Sequence, residues 1–222
     1  CSFKNVMFTD RCKFYFLHPG EAVQPSPWRY SGTSREAYSP THPAALNVYG
    51  GVTPAGTTEL FTVTGTTGYH PSTSYTTKAG STARAPTTKE YYDVLMHGLF
   101  PAGLRLFHGK DWVLQQDNDP IHKKASEKAA RDWNEALRKA RRHGGRVQIL
   151  EGWPANSPDL SIIENCWGIT KSRVLACRCD TMAEFTKQIQ EIFAHIDPTP
   201  LYRSIPNRIK QCIQKKGDRT HH

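Results

Sequence analysis

Polar and apolar residues alternate near the start of the chain, over residues 5–17, where the sequence reads NVMFTDRCKFYFL. Successive side chains of a β-strand point to opposite faces, so this period of two predicts a strand. The apolar residues at even-numbered positions, which would share one face of the strand, are Val6, Phe8, Cys12, Phe14 and Phe16. Asp10 is the only charged residue on that face. The pattern therefore predicts a strand that carries one carboxylate on its apolar face.

Short apolar segments and longer helical periodicities alternate along the rest of the chain. Strands are predicted at 46–52 and 59–65, which form a hairpin, and at 104–118 and 147–151. Helices are predicted at 88–100, 120–143, in the later part of 153–175, and at 181–195 and 199–214. Irregular chain is predicted at 18–45 and a long loop at 66–88, because both segments are rich in Pro, Ser, Thr or Gly. This order of elements predicts an α/β fold.

The helix predicted over 120–143 has two separate faces. An apolar stripe, predicted to be buried, consists of Ala130, Trp133, Leu137 and Ala140. The opposite side, here called the basic face, consists of Lys124, Lys128, Arg131, Arg138 and Arg142. Such a face is either simply solvated or follows the phosphates of a nucleic acid.

Composition and charge favour a polyanionic partner. The 222 residues are enough for one sizeable domain, and they carry a net charge of +9 with a pI near 9.3. These values favour nucleic acid first and an anionic membrane second, although a role in solubility alone also fits. No apolar run approaches the roughly 18 residues of a membrane span, so we expect no membrane partner. The six cysteines form no C-x-x-C pair, which indicates reduced thiols.

Three carboxylates stand out by their surroundings. Asp10 lies in the apolar strand, Asp117 at the end of a predicted strand, and Glu164 in an apolar helix. Carboxylates in such places suit hard cations such as Mg²⁺, which prefer oxygen ligands. Two such ions roughly 3.5–4 Å apart can activate a nucleophile and stabilise the leaving oxygen at a phosphodiester. Without cations, clustered carboxylates repel each other and one of them tends to bind a proton.

Each carboxylate also has an interpretation that needs no cation. Asp117 can close a turn with Asn118, and Asp10 can lie in a turn at a strand end. Glu164 can complete an S-x-x-E capping box with Ser161. The spacing alone leaves both interpretations open.

Longer motifs surround the second and third carboxylates. QQDNDPIH (115–122) resembles the QQDNAPxH segment, and WPANSPDLSIIENCW (153–167) the WPxxSPDLNPIENxW segment, of the DDE transposases of the mariner superfamily. MFTDRCKF (7–14) resembles the strand that carries the first acid of that family. The segments WR (28–29) and VYGGV (48–52) resemble its intervening segments, in the same order. The resemblance covers nearly the whole chain, and the two later motifs are long and specific.

The resemblance implies an RNase H-like fold, in which a central mixed sheet is flanked by helices. It implies that Asp10, Asp117 and Glu164 are catalytic and bind two Mg²⁺ or Mn²⁺ ions, with the aspartates on adjacent strands and the glutamate on a helix. The implied reaction is cleavage of DNA at transposon ends, followed by transfer of the freed 3′-hydroxyl strand into target DNA. Asn118 and His122 would support these residues or face DNA, and simple packing is an equal interpretation for His122.

Several features depart from the family pattern. Arg11 replaces an acidic residue, and Asp119 stands where Ala is usual. The segment 118–163, between the second and third acids, is longer than usual. All three acids are present, which favours an active enzyme. The alternatives are a host-adopted DNA-binding protein that has lost catalysis and an RNase H-like nuclease without strand transfer.

We expect residues 1–222 to form one catalytic domain with a loop insertion at 66–88, and the family's N-terminal helix-turn-helix region to lie outside this chain. DNA binding is expected mainly through phosphates, with little sequence choice and a steep dependence on salt. Lys171 and Arg173 are expected to contribute together with the basic face. The resemblance also implies a homodimer and, in a eukaryotic host, a nuclear location, for which the RKARR run at 138–142 is a candidate signal.

Overall fold

The computed structural model describes residues 3–16, 45–63, 69–70, 87–155 and 157–217. These residues form a mixed sheet with helices on both faces, which confirms the expected α/β class. The predictions for 18–45 and for most of 66–88 fall outside the described residues. None of the described helices is long and apolar enough to cross a bilayer. The cysteines within the described residues are free thiols, as predicted.

The strands form one sheet around a central N-terminal strand. They are β1 (Val6–Tyr15), β2 (Ala45–Thr53), β3 (Gly56–Thr57), β4 (Phe61–Val63), β5 (Tyr69–His70), β6 (Trp112–Gln115) and β7 (Val147–Ile149). Their order is β5-β4-β2-β1-β6-β7, and β3 also pairs with β2. The predicted hairpin is present, since β3 and β4 both pair antiparallel with β2. β1 is antiparallel to β2 and parallel to β6, so the two halves of the sheet meet at β1.

Helices cover both faces of this sheet. They are α1 (Thr88–Val94), a π-helical turn (Leu95–Leu99), α2 (Phe100–Leu106), α3 (Pro120–Lys139), α4 (Ile162–Leu175), α5 (Met182–Ala194) and α6 (Thr199–Gln214). The buried residues of α4, α5 and α6 form one apolar core with the even-numbered residues of β1. Those of α1, α2 and α3 form a second core, which includes Met7. The alternation of β1, which confirms the predicted strand, therefore separates two apolar layers.

The prediction for 104–118 was wrong in its first part. Only β6 is a strand, because the preceding helical segment continues to Leu106 although Pro101 has no N–H group to donate. The π-helical turn lies directly before this proline, and the Phe100 N–H bonds the carbonyl of Leu95 there. This wider turn changes the hydrogen-bonding pattern locally, so the helical path continues across the proline.

Helix α3 confirms the two faces predicted for 120–143, with two corrections. Ala130 and Leu137 are buried and Trp133 is partly buried. Ala140 is exposed, because the helix ends at Lys139 and Ala140 is its C-cap. All residues of the basic face are exposed, but Arg142 lies after the end of α3, because Arg141 has a positive φ and the helical path does not continue through it.

Gly103 in α2 lies against the indole ring of Trp112 in β6. A Cβ atom at position 103 would lie 2.5 Å from Trp112 Cζ2, and this buried ring is stacked on Phe107 with 5.4 Å between centroids. We expect Gly103→Ala to lower the free energy of unfolding by ~1–3 kcal/mol, because overpacking outweighs a gain in helix propensity of roughly 1 kcal/mol. Unfolding by urea measures this change.

Gly168→Ala in α4 is the matched control for this substitution. A Cβ atom at Gly168 would meet nothing within 4 Å. It should therefore raise the free energy of unfolding by ~0.5–1 kcal/mol through helix propensity alone. Equal stabilisation by both substitutions would show that the indole of Trp112 moves aside freely.

Candidate functional site

A cavity of about 520 Å³ lies at the C-terminal end of β6, beside the middle of β1. Asp10, Asp117 and Glu164, the three acids singled out in the sequence, all line this cavity. Its other walls come from the residues that follow Asp117 and from the loop that precedes α4. The fold therefore brings together carboxylates from three separate segments of the chain.

The pairing of β1 with β6 determines where the two aspartates lie. Phe8 pairs with Gln115 in the parallel register, and Thr9 Oγ1 donates a hydrogen bond to the Gln115 carbonyl over 2.8 Å. Asp10 and Asp117 each follow this pair by two residues, so they lie at the same level, Asp10 still within β1 and Asp117 just beyond the end of β6. Because neighbouring strands lie only ~4.8 Å apart, the register brings both side chains to one cavity.

Glu164 reaches the cavity from the first turn of α4. This helix is held against β1 by Trp167, which packs edge-on against Phe14 at 6.2 Å and stacks on Phe193 at 4.8 Å between centroids. Ser161 is the N-cap residue, but its side chain makes no capping hydrogen bond, so the capping-box interpretation of Glu164 is wrong. Glu164 is instead exposed at the wall of the cavity.

The pKa values of the two aspartates shift in opposite directions. Desolvation by burial, followed by the negative charge of Glu164, raises the pKa of Asp10 to about 7. Desolvation also acts to raise the pKa of Asp117, but the hydrogen bond and charge of His122 outweigh it and lower that pKa below its usual value. The cavity thus combines a carboxyl group that binds a proton near neutral pH with one that stays ionised.

His122 connects Asp117 to a buried tyrosine of β2. Its Nδ1 is hydrogen-bonded to Asp117 Oδ1, and its Nε2 lies 3.2 Å from the hydroxyl oxygen of Tyr49. The imidazole is 5% exposed and packs against the ring of Tyr91, with 4.4 Å between centroids. The sequence did not identify Tyr49 as a site residue, since VYGGV showed only a strand and a family-like segment. His122 is therefore both packed and in contact with an acid of the cavity.

Other polar residues near the acids have structural roles. Asn118 Nδ2 donates a hydrogen bond to the Trp153 carbonyl over 2.8 Å and so joins the two loops that border the cavity. Asp119 is the N-cap of α3 and accepts a hydrogen bond from the Ile121 N–H over 2.8 Å. The additional carboxylate in the QQDNDPIH motif thus caps a helix. Arg11 is exposed on the opposite face of β1 from the acid that precedes it.

The basic face of α3 extends away from the cavity. Pro120, the first residue of α3, lines the cavity, and a helix of 20 residues is about 30 Å long. The basic face lies on the side of the helix opposite its buried residues. Lys128 is ion-paired with Asp132 at 3.0 Å, and an Arg138 nitrogen lies 3.9 Å from a carboxylate oxygen of Glu135. Acids of the same helix therefore neutralise part of this positive charge.

Lys171 and Arg173 differ in their position on α4. Lys171 follows Glu164 by two helical turns, so both residues lie on the same face of the helix. Lys171 is also close to Cys12, whose thiol pKa is raised to about 11 by burial against the opposing effect of this ammonium. Arg173 follows Glu164 by about two and a half turns, so it lies on the opposite face of the helix. The fold therefore brings Lys171, rather than Arg173, to the side of the helix that faces the cavity.

The donor atoms of the cavity fit a divalent cation of the Mg²⁺ or Mn²⁺ type. Asp10, Asp117 and Glu164 offer carboxylate oxygens, which these ions prefer, and positive charge would offset both the desolvation and the repulsion that raise the pKa of Asp10. Gln115 also lines the cavity, and its buried Oε1 has no hydrogen-bond partner among the described residues. In the described part of the chain, no three His, Cys, Asp or Glu side chains are close enough to enclose a metal ion. For the three acids to share a cation, at least one carboxylate would have to reorient.

Transposases of Tc elements are similar to this chain in sequence. The transposable element Tcb1 transposase of Caenorhabditis briggsae is 34% identical over 130 residues, which cover 57% of this chain and 43% of that protein. The transposable element Tc3 transposase of Caenorhabditis elegans is 34% identical over 120 residues, which cover 52% of this chain and 33% of that protein. The chain thus matches less than half the length of these relatives. No protein-family model matches the sequence.

Solved structures of the Mos1 transposase are similar to this chain in fold. The Mos1 transposase paired-end complex with left transposon end has a TM-score of 0.64 at 18% identity, over 99% of this chain and 57% of that chain. The Mos1 mariner paired end complex with Mn gives the same TM-score, identity and coverage. The likeness confirms the RNase H-like arrangement of a mixed sheet flanked by helices. In sequence, the homologues of this chain are transposases of the Tc1/mariner family, as the motifs around Asp117 and Glu164 predicted.

Proposed function

We propose that this chain is the catalytic part of a DNA transposase, which cleaves DNA at transposon ends and joins the freed 3′-hydroxyl to target DNA. The observation that carries the proposal is the meeting of Asp10, Asp117 and Glu164 in one cavity, from three segments of the chain. The relatives named above are transposases, and the Mos1 complexes include transposon ends and Mn or Mg. In this proposal, residues 1–222 act as one catalytic domain.

The proposed cofactors are two divalent cations, held by Asp10, Asp117 and Glu164. Bound cations would supply Lewis-acid stabilisation of phosphodiester oxygens and an activated water nucleophile. The Asp10 carboxyl group must release its proton to act as a ligand, so cation binding should strengthen as the pH rises through about 7. His122 keeps Asp117 ionised, and Asn118 holds the loop after β6 in place.

The proposed partner is DNA, bound mainly through its phosphates. The exposed basic face of α3 and exposed Lys171 present positive charge on a chain with a net charge of +9. Phosphate contacts carry no sequence information, so we propose that this surface binds DNA with little sequence choice. Arg173 is exposed as well and is a more distant contributor. We also propose, from the family resemblance, a homodimer and nuclear residence in a eukaryotic host, with the exposed run 138–142 as the candidate signal.

Lys124 and Arg131 test the basic face, since both are exposed on it. Replacing both by Ala should weaken binding to a short DNA duplex and reduce the slope of log K against log salt by about 2, because each lost phosphate contact removes ~0.9. Fluorescence anisotropy in EDTA measures both quantities. Lys187→Ala with Arg203→Ala removes the same charge from exposed positions on α5 and α6 and is the matched control. Equal weakening by the two double variants would mean that only net charge matters.

The proposed reaction is tested by incubating the purified chain with supercoiled plasmid and Mg²⁺ or Mn²⁺. We expect slow nicking that requires the metal, together with Mn²⁺ binding in a calorimetric titration. DNA binding without Mn²⁺ binding would favour the host-adopted DNA-binding protein. Preferential cleavage of RNA–DNA hybrids would favour an RNase H-like nuclease without strand transfer.

A further inference from the structure

We propose that Tyr49 is a positioning residue for the Asp117 carboxylate and acts on it through His122. The proposal rests on the proposed function, since it concerns the use of Asp117 as a cation ligand. Tyr49 makes no hydrogen bond to the carboxylate itself among the described residues. Its hydroxyl oxygen lies 3.2 Å from His122 Nε2, and the other ring nitrogen, Nδ1, is hydrogen-bonded to Asp117 Oδ1.

The chemistry of the three groups determines the direction of these hydrogen bonds. An ionised carboxylate only accepts hydrogen bonds, so the proton between His122 and Asp117 resides on Nδ1. When the imidazole is neutral, its Nε2 atom is an acceptor, and the only donor that the Tyr49 side chain offers is its O–H. In this neutral form the bonds run from Tyr49 to His122 and from His122 to Asp117. Tyr49 thereby selects the tautomer and the ring orientation that Asp117 requires.

Burial makes this arrangement dependent on the tyrosine. Tyr49 is 1% exposed and His122 is 5% exposed, so no bulk water is available to replace the hydroxyl. The Tyr49 ring lies edge-on to the imidazole at 5.8 Å, and the Tyr91 ring lies at 4.4 Å. Without the hydroxyl, Nε2 would be a buried acceptor with no donor, which favours rotation of the ring away from its present position.

The consequence for Asp117 concerns which of its oxygens remains available. The hydrogen bonds from His122 Nδ1 and from the Asp119 N–H, the latter over 3.3 Å, both end on Oδ1. Within the described residues, Oδ2 receives no hydrogen bond. A carboxylate held in this way presents Oδ2 alone to a cation, and its rotation is restricted by two donors on the other oxygen.

Tyr91 provides a matched control in the same buried cluster. It is also 1% exposed, and its ring also packs against His122. Its hydroxyl, however, donates to Gln116 Oε1 over 3.1 Å and makes no hydrogen bond to the imidazole. Tyr49→Phe and Tyr91→Phe therefore remove the same group from neighbouring buried rings, and only the first removes the donor to His122.

Two measurements on the purified chain test the proposal. In metal-free protein at pH 8, nitrogen-15 NMR should show His122 with its proton on Nδ1 in the wild type and in Tyr91→Phe, and that proton should exchange faster with water in Tyr49→Phe. In calorimetric titration with Mn²⁺, Tyr49→Phe should weaken binding about 10-fold, the lower end of the loss that follows when hydrogen-bonded support of a metal ligand is removed. Tyr91→Phe should stay within about 2-fold of the wild type.

A double variant separates positioning from a merely structural role. In His122→Asn, the amide nitrogen takes the place of Nδ1 and nothing takes the place of Nε2, so adding Tyr49→Phe should have no further effect on Mn²⁺ affinity. An unchanged Nδ1 proton and Mn²⁺ affinity in Tyr49→Phe, or an equal loss in both backgrounds, would overturn the proposal. Absence of Mn²⁺ binding in the wild type would instead overturn the proposed function, and the NMR signal would still decide whether Tyr49 fixes the ring of His122.

Discussion

Replacing Asp117 by Asn, or Glu164 by Gln, should reduce metal-dependent DNA nicking by at least ~10³-fold. The proposed cations contribute several kcal/mol of transition-state stabilisation, and each ~1.4 kcal/mol corresponds to a factor of ten in rate. Both substitutions keep the size of the side chain and remove one carboxylate from the cavity. Plasmid nicking with Mg²⁺ and with Mn²⁺ measures the loss, and Mn²⁺ calorimetry shows whether it arises at the step of cation binding.

Asp119→Asn is the matched control for this pair. Asp119 lines the same cavity two residues after Asp117, so the substitution changes the charge of the cavity by the same amount. Its side chain caps α3, and Asn is an N-cap residue of similar quality. The Asp119→Asn variant should therefore nick DNA at a rate close to that of the wild type. Full activity in Asp117→Asn, or an equal loss in Asp119→Asn, would contradict the assignment of the three acids.

Asp10→Asn should stabilise the metal-free protein at pH 8. The folded-state pKa of Asp10 is about 7, against an ordinary value of 3.8. A group with a raised folded-state pKa contributes stability at low pH, and this contribution is lost as the pH rises from about 4 to about 7. Because each pH unit in that window is equivalent to ~1.4 kcal/mol, the loss approaches ~4 kcal/mol as an upper bound. The substitution removes this loss, so we expect a gain of ~2–4 kcal/mol at pH 8 and little change near pH 4.

Urea unfolding in EDTA at pH 4, 6 and 8 measures this dependence. Asp117→Asn is the control with the opposite sign, because the folded-state pKa of Asp117 is lowered and its contribution is lost as the pH falls. Mn²⁺ should raise the stability of the wild type at pH 8 and that of Asp10→Asn much less, since a ligand stabilises the state that binds it. A stability of Asp10→Asn that follows the wild type at every pH would contradict the raised pKa.

Features with a local period could be predicted from the sequence. The apolar even-numbered residues of β1 recur with a period of two, and they form one side of the core as predicted. The two faces of α3 followed from steps of three and four residues, and the error at Ala140 arose because the end of a helix depends on a few local bonds rather than on its period. The prediction of a strand from residue 104 was wrong for a related reason. A hydrophobic pattern does not indicate the π-helical turn before Pro101, after which the helix continues to Leu106.

The identity of the three acids came from the motifs, and their geometry came from the tertiary structure. Asp10 and Asp117 share a cavity because β1 pairs in parallel with β6, and Glu164 joins them because Trp167 packs α4 against β1. The contact between Tyr49 and His122 likewise depends on the fold, which brings the first turn of α3 to Tyr49 of β2. A side chain's position along the chain determines the face on which it lies, whereas its partner across the fold depends on which elements become neighbours. That choice is made by the cooperative packing of the whole core, so neither the raised pKa of Asp10 nor the hydrogen-bond chain from Tyr49 to Asp117 has a counterpart in the sequence pattern.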